Sequence, residues 1–474
     1  MIKVASEAAQ VLVAKACEAG QEHLFAWWSE LDPSEQRALL DQIREIDFQL
    51  LAHLVKSHVK GAGQEKVEIG PPEPVQPVLL GGTEGDIPRW RKVGEELLAA
   101  GKVAVFMAAG GTSPAGAAEG APGLAPVGPV SQKTLLQLHA EKVLALNRRY
   151  HVQVPFVIMT SPETRRELEA FLKEHRFFTL PQGSVLLVDQ PRLPVVDRRG
   201  KILMADKGKI AMAPNGHGGA VELLKRPELR SFLENRSVEC VFYFHIDNPL
   251  VQVADPVFLG LHKERNAEVS AKAVRRESPD ERVGIFAQRG RALVVVEYSE
   301  VSPELRAKKD PETGELLFAW GNTGTHIFSM SFISKWERED KRLPYHCVEQ
   351  RVRCIDRKGR RIQPTKCNAF RFECYVFDSF RWASSWVLFE AERAEEFFPL
   401  SGRVGARFLE AGRRALSLKY ARWLEAAGGR IPRSPDGAVR GTYEISPLYA
   451  LDKEELKEKW NGAEAEVPDV LYLE

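Results

Sequence analysis

The spacing of apolar side chains divides this 474-residue chain into stretches with different structural expectations. Residues 1–58 carry apolar side chains at helical spacing, and a new helix is predicted to start at Asp32-Pro33 or Ser34. Residues 59–80, with GAGQ and PPEPVQPV, lack this pattern and indicate a connecting segment. From about residue 88, short apolar runs alternate with amphipathic stretches, and a helical pattern returns from about residue 396.

The alternating part predicts a sheet covered by helices on both faces. Strands are predicted at VAVFMA, VPFVIMT, SVLLVDQ, VECVFYFHID and ALVVVEYSE, and long amphipathic helices at SQKTLLQLHAEKVLALNRRY and SPETRRELEAFLKEH. Such alternation favours a largely parallel sheet, which binds ligands at the carboxyl ends of its strands. We therefore predict an α/β fold with an N-terminal helical segment (1–80), a central domain (81–395) and a helical and small mixed C-terminal domain (396–474).

Composition and charge narrow the classes of protein to which the chain can belong. The 66 Lys and Arg nearly balance the 65 Asp and Glu, which argues against a general nucleic-acid binder. No apolar run reaches the roughly 18 residues of a membrane helix. Because the N-terminal stretch mixes charges into its apolar positions, we expect a cytoplasmic protein. The cysteine spacing near His346 favours reduced thiols over the alternative of a metal cluster.

Two glycine-rich stretches are candidate ligand-binding turns. VAVFMAAGG places Gly110 and Gly111 after a strand, where bare N–H groups can approach a phosphate or a base edge. An ordinary strand-to-helix turn is the alternative. In APNGHGG, Gly216 allows close approach while Asn215 and His217 offer polar contacts. A surface turn is the alternative there.

A carboxylate follows the strand VECVFYFHID. Asp247 stands at the expected carboxyl end of this strand, where it could hold Mg²⁺ against substrate phosphates. The alternative is that its side chain caps the following turn.

The order of these stretches resembles the UDP-N-acetylhexosamine and UDP-sugar pyrophosphorylases, which are UTP-dependent sugar-1-phosphate uridylyltransferases. The stretches that carry the resemblance are GKVAVFMAAGG, QKTLLQLHAEKVLAL, VPFVIMTSPET, APNGHGG, IDNPLVQVADP, VVEYSE, YVFDSF and EEFFPL. The resemblance spans about residues 20–450 and implies a nucleotidyltransferase-type, Rossmann-like mixed sheet flanked by helices. It also implies Mg²⁺ as cofactor and UTP or a UDP-sugar, with a sugar 1-phosphate, as ligands.

The same resemblance implies roles for individual residues. Nucleotide-binding roles fall on Gly110, Gly111, Gln190, Gly216 and Asp247. Substrate-binding roles fall on Asn215, His217, Glu297, Tyr298 and Thr325. The family's magnesium-binding aspartate matches Asp247, and Gln190 resembles the glutamine that reads the uracil edge, since an amide offers a donor and an acceptor.

The chain departs from the family where positive charge would meet the phosphates. The loop arginine of the family falls on Ala115, the lysine after it on Pro122, and the lysine of its P-L-K-N stretch on Ser401. A further lysine falls in the region of Ser384 and Ser385. Lys209 is the first candidate to compensate as a catalytic cation, followed by Lys133, Arg275, Arg276 and Arg381.

These departures leave two functions open. The first is a UTP-dependent uridylyltransferase of impaired or altered activity. The alternative is a catalytically inactive homologue that binds a nucleotide sugar or a protein partner. Each preorganised charge contact typically contributes about 10²–10³ in rate. The missing cations therefore favour the inactive homologue, whereas the resemblance favours the uridylyltransferase.

Overall fold

The computed structural model describes residues 4, 6–61, 73–80, 86–110, 121–298, 300–339, 341–400, 406–460 and 466–474. The chain forms two units, each built from separate stretches of sequence. The first comprises Met1–Ile69, Gln190–Gly219 and Arg342–Asp378, and the second comprises Gly70–Asp189, Ala220–Lys341 and Ser379–Glu474. The boundaries predicted at residues 80 and 395 divide the chain differently and stay a prediction.

The helices agree with the predicted pattern at both ends of the chain and between the strands. They are α1 (Glu7–Glu18), α2 (Pro33–Arg44), α3 (Phe48–Leu54), α4 (Asp86–Ala99), α5 (Leu135–Tyr150), α6 (Pro162–Glu174), α7 (Gly219–Lys225), α8 (Pro227–Glu234), α9 (Pro256–Glu264), α10 (Pro303–Ala307), α11 (Met330–Arg338), α12 (Arg393–Glu396), α13 (Ala406–Ala426) and α14 (Lys453–Lys459).

The strands include all five that the sequence predicts. They are β1 (Val103–Ala108), β2 (Phe156–Thr160), β3 (Val185–Asp189), β4 (Arg192–Pro194), β5 (Met204–Asp206), β6 (Lys209–Ile210), β7 (Met212–Pro214), β8 (Cys240–His245), β9 (Val269–Arg275), β10 (Ile285–Arg289), β11 (Ala292–Val296), β12 (Trp320–Ser329), β13 (His346–Gln350), β14 (Cys354–Ile355), β15 (Arg361–Ile362), β16 (Ala369–Glu373), β17 (Trp386–Glu390), β18 (Thr442–Ile445) and β19 (Val470–Leu473).

Local sequence explains where two of the helices begin. Asp32 accepts a hydrogen bond from the N–H of Glu35, whose carboxylate accepts one from the N–H of Asp32, and Pro33 opens the helix. Ser161 and Thr164 form the same reciprocal pair ahead of α6. Such capping boxes satisfy N–H groups that a helix start leaves without partners, so both predicted starts are confirmed.

A mixed sheet forms the centre of the second unit, as predicted. In the described residues it has the order β11-β10-β12-β8-β1-β2-β3, with β9 paired to both β12 and β17. Strands β8, β1, β2 and β3 are parallel, whereas β12 runs antiparallel to β8 and β11 antiparallel to β10. The expectation of a largely parallel sheet therefore holds for only one half of it. Because β1 and β8 are covered on both faces, they are apolar along most of their length.

Helix α5 differs from its amphipathic prediction. Its residues from Leu138 to Leu146 are all buried, including the polar His139, Glu141 and Lys142. The reason is tertiary, because the same hydrophobic core contains α5 together with Tyr420 and Leu424 of α13. The local sequence of α5 does not indicate that α13 packs over it.

The first unit has its own core. Residues of α2 and α3, such as Leu39 and Leu51, pack with Val196, Ile202 and Phe372. The pairs β4–β7, β5–β6, β13–β16 and β14–β15 form small antiparallel ladders in it. Among the described residues of the whole chain, no helix combines the length and apolar character needed to cross a bilayer. The cytoplasmic location stays a prediction.

Candidate functional site

Register places the first glycine loop and Asp247 at the same edge of the sheet. Strands β1 and β8 are parallel, with Ala108 opposite His245. The N–H of Ile246 donates to Ala108 O (3.0 Å). Gly110 is buried just beyond β1, and Asp247 is half-buried just beyond β8. Gly111 and Ala115 lie outside the described residues. As predicted, Gly110 and Asp247 each follow the carboxyl end of a strand, and the structure shows that these two strands are neighbours.

The main chain of Asp247 is tied to the segment that ends at Leu400. Leu400 N donates to Asp247 O (2.9 Å). The next side chain, Asn248, is buried and donates from Nδ2 to Glu396 O (2.7 Å) while its Oδ1 accepts from Phe398 N (3.1 Å). In the described part of the chain, the hydrogen bonds of Asp247 use its backbone, so its side chain is available there for a ligand role. The Asp-Asn pair after a strand was the sequence signal, but its partners in 396–400 could not be found from it.

Glu297 and Thr325 reach this edge on antiparallel strands, which the sequence did not predict. In the ladders that join β11 to β10 and β10 to β12, Ile285 lies opposite both Val296 and Gly321. A Cβ placed on Gly284 would lie 3.4 Å from Glu297 Oε1 and 3.8 Å from Asn322 Cβ. Glu297 therefore emerges beside the start of β12, which is the end nearest the carboxyl end of β8.

Thr325 lies in a bulge of β12. The pairing with β9 shifts between Asn322 and His326, and Thr325 N donates to Thr323 Oγ1 (3.2 Å) within the bulge. Thr325 is 2% exposed. Tyr298 is half-buried, with the guanidinium of Arg282 5.9 Å from its ring centroid. Their proposed contacts with substrate stay predictions.

Two histidines lie under the Asp247 edge without contributing positive charge. His245 Nε2 and Tyr243 Oη are joined by a hydrogen bond of 3.0 Å, and His326 stacks on Tyr243 at 5.8 Å between centroids. Burial, reinforced by His245, lowers the pKa of His326 to about 3. Burial also lowers the pKa of His245, against the opposing effect of the Asp247 carboxylate. Both rings are therefore mainly neutral at pH 7 and do not replace a missing cation.

The chemistry of this edge fits a magnesium ion that is shared with a polyphosphate. Among the described residues there is no group of three His, Cys, Asp or Glu side chains arranged to hold a metal. Asp247 offers one carboxylate at the strand end. Since Mg²⁺ in nucleotide sites takes one or two carboxylates and completes its shell with phosphate oxygens and water, a single aspartate is a suitable donor set.

The second glycine turn, residues 215–219, lies in the first unit and is held by Cys374. Cys374 N donates to Asn215 O (2.7 Å), and Gly218 N donates to Cys374 O (2.8 Å). Gln190 is buried and donates from Nε2 to Gly216 O (2.6 Å). Because a carbonyl can only accept, the amide nitrogen of Gln190 faces the turn. Gln190 thus uses a donor internally and keeps its Oε1 as an acceptor.

Hydrogen bonding and stacking fix the orientation and the tautomer of the His217 ring. Its Nδ1 accepts from Val376 N (3.1 Å), so the ring proton of the neutral form is on Nε2. The ring stacks on Tyr375 at 5.2 Å, and Tyr375 stacks on His346 at 4.4 Å. His346 Nε2 lies 2.9 Å from the buried Asp378 Oδ2. The structure thus brings together Gln190, Asn215, Gly216 and His217, and adds an aromatic neighbour that the sequence did not single out.

Three of the five candidate compensating cations are engaged elsewhere. Lys133 Nζ pairs with Glu141 (2.9 Å), Arg275 pairs with Glu315, and the buried Arg276 donates to Phe318 O (2.8 Å). Lys209 is exposed on β6, whose neighbour Ile210 is hydrogen-bonded from its N–H to Gln42 of α2. A catalytic role of Lys209 stays a prediction.

One of the four departures from the family lies away from the Asp247 edge. Ser384 and Ser385 precede β17, which is parallel to β9 and, through β12, to β8. They therefore lie at the amino ends of these strands. The absence of a lysine at these two positions removes no charge from the edge that carries Asp247.

A different departure lies close to that edge. Pro122 opens a short helical turn, and a Cβ on Gly123 would lie 2.7 Å from Ile246 Cδ1. Ser401 follows Leu400, the partner of Asp247, in the chain, and is itself outside the described residues. The departures at 122 and 401 are therefore the ones whose described chain neighbours, Gly123 and Leu400, lie at this edge.

We predict that Gly216→Ala abolishes nucleotide-sugar binding. Gly216 has φ +83°, and a Cβ there would lie 2.4 Å from Cys374 O, so the turn must move. The left-handed conformation alone costs about 1–3 kcal/mol for a non-glycine residue. The matched control is Gly437→Ala, because Gly437 has φ +84° but no heavy atom within 4 Å of an added Cβ. Calorimetry with a UDP-sugar and thermal unfolding of both variants would test this, and equal binding by both would contradict it.

Comparisons with known proteins agree with this geometry. The model of a family described as UTP–glucose-1-phosphate uridylyltransferase matches residues 52–400. UDP-N-acetylhexosamine pyrophosphorylase-like protein 1 of Xenopus tropicalis is 34% identical over 459 residues, covering 93% of this chain and 89% of the relative. UDP-N-acetylglucosamine diphosphorylase 2 of Arabidopsis thaliana is 31% identical over 481 residues, covering 98% and 94%.

A solved structure shares the fold. The uridine diphosphate N-acetylglucosamine pyrophosphorylase of Trypanosoma brucei, crystallised with an inhibitor, superimposes with a TM-score of 0.81 at 23% identity. The match covers 100% of this chain and 99% of that one. At this identity the likeness concerns the fold, and it confirms the predicted nucleotidyltransferase-type α/β class.

Proposed function

Because this chain belongs to the UTP–glucose-1-phosphate uridylyltransferase family, we propose that Asp247 and Gly110 of the second unit bind the phosphates of UTP for uridylyl transfer to a sugar 1-phosphate. The turn at residues 215–219 of the first unit is proposed as a ligand-binding element in its own right. The family-level function is UTP-dependent transfer of a uridylyl group to a sugar 1-phosphate. The observation that carries the proposal is the carboxylate of Asp247 beyond β8, on a strand whose neighbour β1 leads into Gly110. The relatives are named for N-acetylhexosamines, so an N-acetylhexosamine 1-phosphate is the first acceptor to test.

Individual residues have assigned tasks in this proposal. The N–H of Gly110 is assigned to the nucleotide, and so is that of Gly111, which lies outside the described residues. Gln190 Oε1 is assigned to accept from the uracil N3–H. Gly216 permits close approach of the ligand to the turn. Polar groups for sugar hydroxyls are offered by Asn215 and His217 in the first unit and, considered separately, by Glu297, Tyr298 and Thr325 in the second.

The reaction is an in-line displacement at phosphorus. A phosphate oxygen of the sugar 1-phosphate forms a bond to the α-phosphorus of UTP, and the bond to pyrophosphate breaks. Asp247 would hold Mg²⁺, which supplies neutralisation of the charge that develops on the phosphate oxygens. The chain's own contribution is to orient both phosphates by main-chain donors and to fix the position of the carboxylate.

We further propose that this transfer is slow or altered in this protein. Ala115, Pro122 and Ser401 replace cations, and the buried His326 near Asp247, with a pKa of about 3, contributes no positive charge at pH 7. The second candidate function is binding of a nucleotide sugar without turnover. The turn at residues 215–219 is fixed by hydrogen bonds from Gln190 and Cys374. It favours this second function, because ligand binding at the turn does not depend on the missing cations.

One assay distinguishes the two functions. Pyrophosphate release would be measured from UTP with Mg²⁺ and a panel of N-acetylglucosamine, N-acetylgalactosamine and glucose 1-phosphates. We expect slow, Mg²⁺-dependent release with at least one sugar. No release at high protein concentration, together with calorimetric binding of a UDP-sugar, would establish the second function. If neither UTP nor any UDP-sugar binds, both proposals are wrong.

A further inference from the structure

The main chain around Asp247, residues 246–251, is held by buried side chains from two helices. Every carbonyl oxygen from residue 246 to residue 251 accepts a hydrogen bond. His139 Nε2 reaches Ile246 O at 2.9 Å. Lys142 Nζ donates to Pro249 O (2.8 Å) and Val251 O (2.9 Å). Lys419 Nζ donates to Leu250 O (2.9 Å). The two remaining oxygens, Asp247 O and Asn248 O, accept from the main-chain N–H groups of Leu400 and Val251.

A second hydrogen bond donated by Lys419 links residues 246–251 to the segment 395–400. Its Nζ also donates to Glu395 O (2.7 Å), which lies just before the residues that bind Asn248 and Asp247. One ammonium group of α13 therefore fixes both stretches that meet at Asp247. Lys142, from α5, fixes the same segment from a second helix.

These two lysines are unusual because their partners are carbonyl groups. Lys142 is 8% exposed and Lys419 is 7% exposed. In the part of the chain that the structure describes, neither forms an ion pair with a carboxylate within 4.0 Å. Lys272, which is buried in the same unit, instead contacts Asp255 (2.7 Å) and Glu396 (2.6 Å).

Holding an ammonium group in this way is costly. Burial lowers the pKa of Lys142 well below its usual range. Burial lowers the pKa of Lys419 to about 8, against the opposing effect of Glu395 and Glu396. Since buried cations without a counter-ion destabilise a fold relative to apolar residues, stability alone does not explain two of them on one segment. Both lysines donate to carbonyl groups of residues 249–251, and this shared segment suggests why they are buried there.

We propose that Lys142 and Lys419 are positioning residues that hold residues 246–251 in one conformation and thereby fix the Asp247 carboxylate for the metal-bound nucleotide. The inference rests on the proposed function of Asp247. It assigns no contact with substrate to either lysine. An ammonium group is suited to the task because its several donors can satisfy two carbonyls at once, as both lysines do here.

The test uses Lys142→Met and Lys419→Met in the full-length protein, because methionine has similar length and no donor. The control is Lys459→Met, since Lys459 also donates to a main-chain carbonyl, that of Tyr449 (2.8 Å), but on helix α14. Amide hydrogen exchange of the peptide covering 246–253 reports the conformation of the segment without requiring activity. Calorimetry of UTP with Mn²⁺, and with EDTA, reports the metal dependence of binding.

We expect exchange in the 246–253 peptide to become faster by about tenfold or more in both methionine variants, as loss of a charged hydrogen bond implies. The affinity for UTP should fall by about tenfold with Mn²⁺ and by less than about twofold with EDTA. The Lys459→Met control should change neither quantity. Lys142→Arg and Lys419→Arg, which keep a cationic donor, should recover part of both.

Unchanged exchange in folded methionine variants would overturn the inference. So would a loss of UTP affinity that is equal with Mn²⁺ and with EDTA, because that would indicate a general structural role. If wild-type binding of UTP does not depend on the metal, the metal role of Asp247 fails, and the exchange result still decides whether the lysines order the segment. Should a methionine variant not fold, Lys→Gln at the same position, which retains an N–H donor, gives the same comparison with a smaller effect.

Discussion

The triple variant Ala115→Arg, Pro122→Lys, Ser401→Lys should release pyrophosphate from UTP and a sugar 1-phosphate at least about 10²-fold faster than the wild-type chain. Each substitution returns a cation to a position where the family carries one. Removing a single preorganised charge contact typically costs about 10²–10³ in rate. The gain of the triple variant is expected to be smaller than the product of three such factors, because groups within one site do not act additively.

Described chain neighbours of two of the three positions lie at the Asp247 edge. Pro122 opens the turn whose Gly123 lies against Ile246, the residue before Asp247. Leu400, the residue before Ser401, donates to Asp247 O (2.9 Å). The chain neighbours of positions 122 and 401, Gly123 and Leu400, therefore contact Ile246 and Asp247. Position 115 lies outside the described residues and is chosen on the resemblance of the loop alone.

Ser384→Lys is the matched control for added charge. Ser384 is exposed and lies at the amino ends of the parallel strands, next to Lys335 and Glu268. A lysine there adds one positive charge, as each substitution of the triple variant does, without reaching the Asp247 edge, so the rate should stay at the wild-type value. Initial rates at saturating UTP and Mg²⁺ would be compared for all variants. A triple variant that binds UTP but reacts no faster than Ser384→Lys would show that missing cations are not what limits this chain.

Much of the fold could be predicted because its signals are local. Strands β1 and β8 are runs of apolar residues, and the starts of α2 and α6 carry capping residues. The positions of Gly110 and Asp247 followed from the rule that parallel strands end at one edge. These features depend on residues that are neighbours in the chain.

The remaining features depend on residues far apart in the chain. Glu297 reaches the edge on an antiparallel hairpin, and its position follows from the register of β10 with β12 rather than from its own strand. The buried Lys142 and Lys419 are 277 positions apart in sequence (419 − 142) and meet on one six-residue segment. Each resembles an ordinary charged residue on a helix, and nothing in the local pattern shows that another helix covers it.

Asp247→Asn should remove the effect of Mg²⁺ on UTP binding and reduce any uridylyl transfer by about 10³-fold. Asparagine has nearly the shape of aspartate but no charge, so it is a poor ligand for a hard cation. The fold should be unaffected, because the hydrogen bond from Leu400 uses the main-chain oxygen of Asp247. Calorimetry of UTP with Mg²⁺ and with EDTA should therefore give equal affinities in the variant and different ones in the wild type.

Asp189→Asn provides the control for this change. Asp189 is also a strand-end carboxylate of the same sheet, but it pairs with Arg165 at 3.1 Å. Because its charge is already neutralised within the protein, its loss should leave the response to Mg²⁺ as in the wild type. If Asp189→Asn abolishes that response while Asp247→Asn preserves it, the metal lies at the end of β3 and not of β8. If neither variant changes it, neither aspartate holds the ion, and Glu297, the other described carboxylate that reaches this edge, becomes the next candidate ligand.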